Sequence, residues 1–144
     1  MMQKKSKRPI IFLCANLLIS YSIQSLAEEW SSITKKDGYE IFVDIDSYNQ
    51  EKGWPYMTAK TVYKTPQMVR INTKPMRYIT QISQWQFNCK NPVYRTRFST
   101  FYDKKNQAIG KSVPMKDFQT IPAKSAIFSV GQLTCQVHQM VGGQ

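Results

Sequence analysis

Five basic side chains, Lys74, Arg77, Lys90, Arg95 and Arg97, fall close together in the sequence, and Tyr78, Trp85, Tyr94 and Phe98 are interleaved with them. A guanidinium presents a planar fork of donors that fits carboxylate, sulfate or phosphate groups. Aromatic rings add apolar area and a face on which a cation can rest. These residue types concentrate at protein-binding hot spots. The same composition also fits a plainer arrangement, with half of the aromatics in a core and the basic residues solvating the opposite face. In an extended chain Arg95, Arg97 and Ser99 share one face, and Tyr94, Thr96, Phe98 and Thr100 take the other.

Catalytic arrangements are thin. His138 is the one histidine. Paired with Asp103 or Asp117 it would be the best general base for a hydrolase, but its place beside a polar helix face reads as a surface residue. No cluster of His, Cys or carboxylate has metal-ligand spacing. Asp44 and Asp46 suit turn capping better than cation binding. A glycine-rich phosphate loop and a G-x-S-x-G elbow are both missing. The expectation is a non-enzymatic protein with no cofactor and no metal.

The N-terminus indicates where such a surface would work. Lys4, Lys5, Lys7 and Arg8 precede an apolar run over residues 10–23, and Ser25-Leu26-Ala27 places small residues at a cleavage site. That is the layout of a secretory signal peptide, residues 1–27, cleaved to leave a single domain at 28–144. A spanning anchor needs ~20 apolar residues, more than this run supplies. The bulky Ile11-Phe12-Leu13 before Cys14 does not form a lipobox. Without residues 1–27, which hold four basic and no acidic residues, 117 residues remain with a net charge of +7. An exported basic protein meets anionic envelope components and acidic host proteins rather than nucleic acid.

Two cysteines remain after cleavage, Cys89 and Cys135. An exported chain with two cysteines pairs them, and closing that 46-residue loop is worth about 4 kcal/mol in the chain-entropy model.

The elements that must position these groups read mostly as strands. The first covers residues 30–35 and ends at Lys36-Asp37-Gly38, a tight hairpin signal. The second covers 39–44, followed by turn residues Asp46, Ser47, Asn49 and Gly53. The third runs over 54–65, where Pro66 ends it. Residues 66–77 form a connection, with a short strand at 67–71. A long strand at 78–89 sets Trp85, Phe87 and Cys89 on one parity, toward the core. Across Lys90-Asn91-Pro92 its antiparallel partner covers 93–102, and 103–111 is a loop. From Ser125 to Met140 the period changes: Ile127, Val130, Thr134, Val137 and Val141 recur at helical spacing, with Ser125 as N-cap and Gly142-Gly143 as the stop. The fold class is therefore α+β: an antiparallel sheet of about six strands with a C-terminal helix clipped to it by Cys89–Cys135.

Four segments carry a family resemblance. "KPMRYITQISQWQFNC" and "RTRFSTFYD" resemble the basic-aromatic strand pair of the surface-adhesin protein E family of Gram-negative bacteria. "YEIFVDIDSY" is similar to its tyrosine-rich strand, and "IPAKSAIFSVGQLTCQ" to its closing turn and helix. The resemblance spans Trp30 to Val137. It implies an antiparallel sheet with a disulfide-held C-terminal helix. It also implies adhesion at the cell surface through host matrix or serum proteins such as vitronectin and laminin. The implied binding segment supplies Lys74, Arg77, Tyr78, Lys90, Tyr94, Arg95 and Arg97.

Two readings of function follow. One is an exported adhesin, at the cell surface or outer membrane, or released. The other is a periplasmic binding or inhibitor module of the envelope, although a basic charge disfavours a cationic lysozyme as its target. An exposed edge strand would also allow a homodimer.

Overall fold

The computed structural model describes residues 29–142; the expected leader at 1–27, with Cys14, and Gly143 lie outside them. The chain forms β1 (Trp30–Lys35), β2 (Tyr39–Glu51), β3 (Trp54–Ile71), β4 (Lys74–Asn88), β5 (Val93–Tyr102), β6 (Ala108–Lys111), β7 (Gln119–Thr120) and α1 (Ala126–Met140). All strand pairs are antiparallel. The sheet order is β1-β2-β3-β4-β5-β6, with β7 also against β5. This is the expected α+β arrangement, and from β1 to β6 each neighbour in the sheet is also the neighbour in sequence.

Alternation makes one face apolar. Ile41 and Val43 of β2, Met57 and Ala59 of β3, and Trp85 and Phe87 of β4 are buried there together with Val130 of α1. Each fully buried side chain of this size contributes about 1.5–3 kcal/mol. Ser125 caps α1 by accepting from the Phe128 amide at 3.1 Å. Cys89, one residue beyond β4, is bonded to Cys135 in α1, with Cα atoms 5.6 Å apart.

Several expectations need correction. β2 does not stop at Asp44 but runs to Glu51, because its turn-forming residues occupy a bulge between Asp44 and Asn49. There Ser47 Oγ accepts from the Thr58 amide at 2.8 Å, which keeps β3 attached. β3 does not end at Pro66 either. The proline lies in a register shift between Val62 and Gln67, where the ladder asks for no donor. Residues 66–77 are thus the outer part of a long β3–β4 hairpin rather than a connection. Its turn, Asn72-Thr73, has both residues at positive φ. Within 103–111, β6 forms where a loop was expected. In β5 a bulge opposite Gln84/Trp85 shifts the alternation, so Phe98 pairs with Gln84 and Ser99 with buried Ser83. Ser99 therefore leaves the arginine face. In α1 the buried positions are Val130, Gly131, Thr134 and His138, while Val141 is exposed. His138 is not a surface residue: it is 5% exposed, and its Nδ1 lies 2.8 Å from the Tyr48 hydroxyl.

Candidate functional site

Helix α1 lies on one face of the sheet. On the other face the even-numbered positions of β2, β3 and β4 come side by side, and cations there rest on aromatic rings. Lys60 Nζ lies 4.5 Å from the Trp30 ring centroid and 5.0 Å from that of Phe42. The Arg97 guanidinium lies 3.9 Å from the Tyr56 centroid. Arg95 is 5.8 Å from Trp54 and 5.0 Å from Phe118, whose rings meet edge to face at 4.4 Å. Such contacts are worth about 0.5–1 kcal/mol each at exposed sites. Their larger effect is to hold long, rotamer-rich side chains in place, so that less freedom is lost when a partner binds.

Polar contacts complete this arrangement. Gln86 is fully buried. Its Oε1 accepts from Arg95 Nε at 2.8 Å, and its Nε2 donates to the Trp54 carbonyl at 3.1 Å. Arg97 Nη1 lies 3.1 Å from Glu51 Oε2, an ion pair without the alignment of a hydrogen bond. Arg97 is therefore partly neutralised, whereas Arg95 has neutral partners and keeps a full charge.

The structure separates the sequence-derived residues into three places. Arg95 and Arg97 share the open face, and exposed Lys90 sits at the same end of the sheet in the β4–β5 turn. Tyr94 points the other way and packs against the core; burial raises its phenol pKa. Lys74 and Arg77 are exposed at the far end of β4, where that strand pairs with the outer part of β3. At ~3.3 Å per residue, Lys74 lies roughly 45 Å along β4 from Asn88, the strand end that leads into the turn of Lys90. Tyr78 belongs to a run of ring contacts, Tyr39–Tyr63–Tyr78–Phe101, with centroid distances of 6.1, 5.7 and 4.8 Å. Burial raises the Tyr78 phenol pKa, and a hydrogen bond with Tyr63 opposes that rise.

Sequence reasoning missed Glu51, Trp54, Tyr56, Gln86 and Phe118. The alternation of Trp54, Tyr56, Thr58 and Lys60 along one strand was the available signal for two of them. Phe118 and Glu51 are brought in by tertiary folding alone. The hydrolase candidates are not assembled: His138 is engaged by Tyr48, and Asp103 Oδ1 accepts from the Lys105 and Gln107 amides to cap a turn. Asp44 Oδ1 accepts from the Asp46 amide in the same capping manner. Among the described residues no three His, Cys, Asp or Glu side chains converge as a metal site.

A family model described as surface-adhesin protein E matches residues 30–136. Two solved structures are similar in outline. The structure of Haemophilus influenzae protein E is 17% identical, covers 80% of this chain and 89% of that chain, and gives a TM-score of 0.49. The crystal structure of protein E from non-typeable Haemophilus influenzae is 13% identical, with 81% and 82% coverage and a TM-score of 0.45. A comparison with curated proteins found no match.

Proposed function

This chain belongs to the surface-adhesin protein E family, and from that premise we propose that it is an exported, non-enzymatic adhesin that contacts host matrix or serum proteins of the vitronectin or laminin kind. Residues 1–27 direct export and are removed, and residues 28–144 form the binding domain. The observation that carries this reading is the open sheet face, where Arg95 and Arg97 are held on Trp54, Tyr56 and Phe118. Rigid aromatics with ordered arginines are the composition of interface hot spots. Their positive charge suits an acidic partner segment. Lys90 extends this surface at one end. Lys74, Arg77 and Tyr78 offer a second contact area at the other end, large enough in separation to engage a different part of an extended partner.

Surface presentation comes first as a test. A protease added to intact cells should degrade the protein, or the culture medium should contain it. Protection until lysis would place it in the periplasm and end the adhesin reading. Binding is then measured on immobilised vitronectin and laminin. Arg95→Glu with Arg97→Glu should weaken binding at least tenfold, and raising salt should weaken the unmodified protein. Lys74→Glu with Arg77→Glu reports on the far end separately. Binding that survives both double variants would remove this assignment.

A further inference from the structure

The end of the sheet beside the disulfide holds a cleft of about 500 Å³. Its rims are two turns. Lys52, in the β2–β3 turn, stands on one side, and Lys90, in the β4–β5 turn, on the other. Trp54, Asn88, Asn91 and Gln139 are among the other lining residues. The lining residues include no carboxylate. Glu51, beside Lys52 in sequence, is engaged by Arg97 instead. Among the described residues neither Lys52 nor Lys90 has an ion-pair partner.

The cleft is built rather than incidental. Lys52 and Gly53 both have positive φ, 53° and 79°, so the turn is tight and fixes where the Lys52 side chain starts. Gln86 ties that turn to β4 through the Trp54 carbonyl. On the other rim the Lys90 amide donates to Asn88 Oδ1 at 3.0 Å, and the neighbouring Cys89 is bonded to Cys135.

We propose that this cleft binds an acidic sugar unit, with Lys52 and Lys90 flanking its anionic groups and the Trp54 indole against its ring. The volume fits one or two sugar rings, within the ~300–1,000 Å³ of ordinary ligand pockets. A pyranose has an apolar C–H face that packs on an aromatic ring, and hydroxyls around its rim that exchange hydrogen bonds with amides. Two unpaired ammonium groups select sulfate, carboxylate or phosphate substituents over a neutral sugar. Such sugars come from two sources, sulfated host glycans and the phosphorylated core saccharides of a bacterial envelope. This site adjoins the arginine face and shares Trp54 and Lys90 with it, but its ligand is a saccharide rather than a protein.

The test titrates the full mature chain with three probes: a sulfated uronic-acid hexasaccharide, a phosphorylated envelope core oligosaccharide, and neutral maltohexaose. Calorimetry and tryptophan emission are the readouts. One or both acidic probes should bind, and which one does so identifies the source. Lys52→Asn, which keeps a residue tolerant of positive φ, should weaken binding at least tenfold. Trp54→Phe should abolish the emission change. Lys105→Asn, an equal loss of charge in the β5–β6 turn, should leave affinity within twofold. The proposal is overturned by failure of both acidic probes, by equal affinity for maltohexaose, or by equal weakening in Lys105→Asn and Lys52→Asn. Host-protein binding by Lys52→Asn should stay unchanged, which keeps this result separable from that of the arginine face.

Discussion

Arg95 Nε donates a 2.8 Å hydrogen bond to Oε1 of Gln86, a side chain with no solvent exposure. A buried neutral amide thus orients an arginine on the open sheet face without cancelling its charge. Replacing Gln86 by Leu keeps the volume and the net charge but removes this anchor and leaves the Trp54 carbonyl without its partner. Stability should fall by about 1–3 kcal/mol. Affinity for a host protein should fall as well, even though no charge has changed. Denaturant unfolding and surface binding of Gln86→Leu measure the two effects. Undiminished affinity in a folded Gln86→Leu would mean that the orientation of Arg95 is irrelevant.

The helix seat is set by close approach. A Cβ placed on Gly131 would lie 2.8 Å from Cε1 of Phe87, a ring that is 1% exposed and has little room to move. Gly131→Ala gains about 1 kcal/mol in helix propensity. Overpacking a core costs about 1–3 kcal/mol. The net expectation is a loss of about 1 kcal/mol, seen as a melting temperature lower by a few degrees. A more stable Gly131→Ala protein would show that the helix can shift away from β4 without cost.

These relationships differ in how far they can be read from sequence. Ser125, followed by an apolar period near 3.6, marks the start of α1 because capping is a local interaction. Cys89 and Cys135 declare their pairing because only two cysteines follow residue 27. Trp85 and Phe87 declare their face because strict alternation leaves no other choice. Pro66 and Ser99 mislead for one shared reason. Each is placed by a bulge, where an extra residue suspends the alternation and the donor requirement on which strand reading depends. Arg95 and Arg97 were legible as a pair. That Lys74 and Arg77 stand far from them was not, because nearness in sequence means little when one strand is 15 residues long. His138 is buried because Tyr48, 90 residues earlier, supplies a partner that no local pattern reveals.

The disulfide should dominate stability. It closes a separation of 46 residues between β4 and α1, and its removal should cost about 4 kcal/mol in the chain-entropy model. For a domain of this size that corresponds to a melting temperature lower by roughly 15 °C. Cys89→Ser with Cys135→Ser, followed by calorimetry, gives the value without a free thiol. A change of less than ~2 °C would mean that burial of Val130 and Thr134 alone holds the helix in place.

Tyr63 should govern the alkaline limit. Burial first, and then the neighbouring Tyr78 phenol, push its pKa well above the ordinary value of 10.0. The folded state thus favours the neutral phenol, whereas the unfolded chain ionises from about pH 10. The stability due to this group is complete below that pH. It declines as pH rises above 10 toward the folded-state value, because only the unfolded chain releases the proton. Burial shifts Tyr48 and Tyr94 the same way, so they add to the decline in every variant. Tyr63→Phe cannot ionise. It should be less stable near neutral pH by about 1 kcal/mol, for the lost hydrogen bond with Tyr78. Its stability should then fall less steeply above pH 10, so the two curves converge. Denaturant midpoints from pH 8 to 11 for both proteins give the slopes. Parallel curves would mean that Tyr63 ionises as easily in the folded chain as in the unfolded one, and that the Tyr39–Tyr63–Tyr78–Phe101 run does not exclude water.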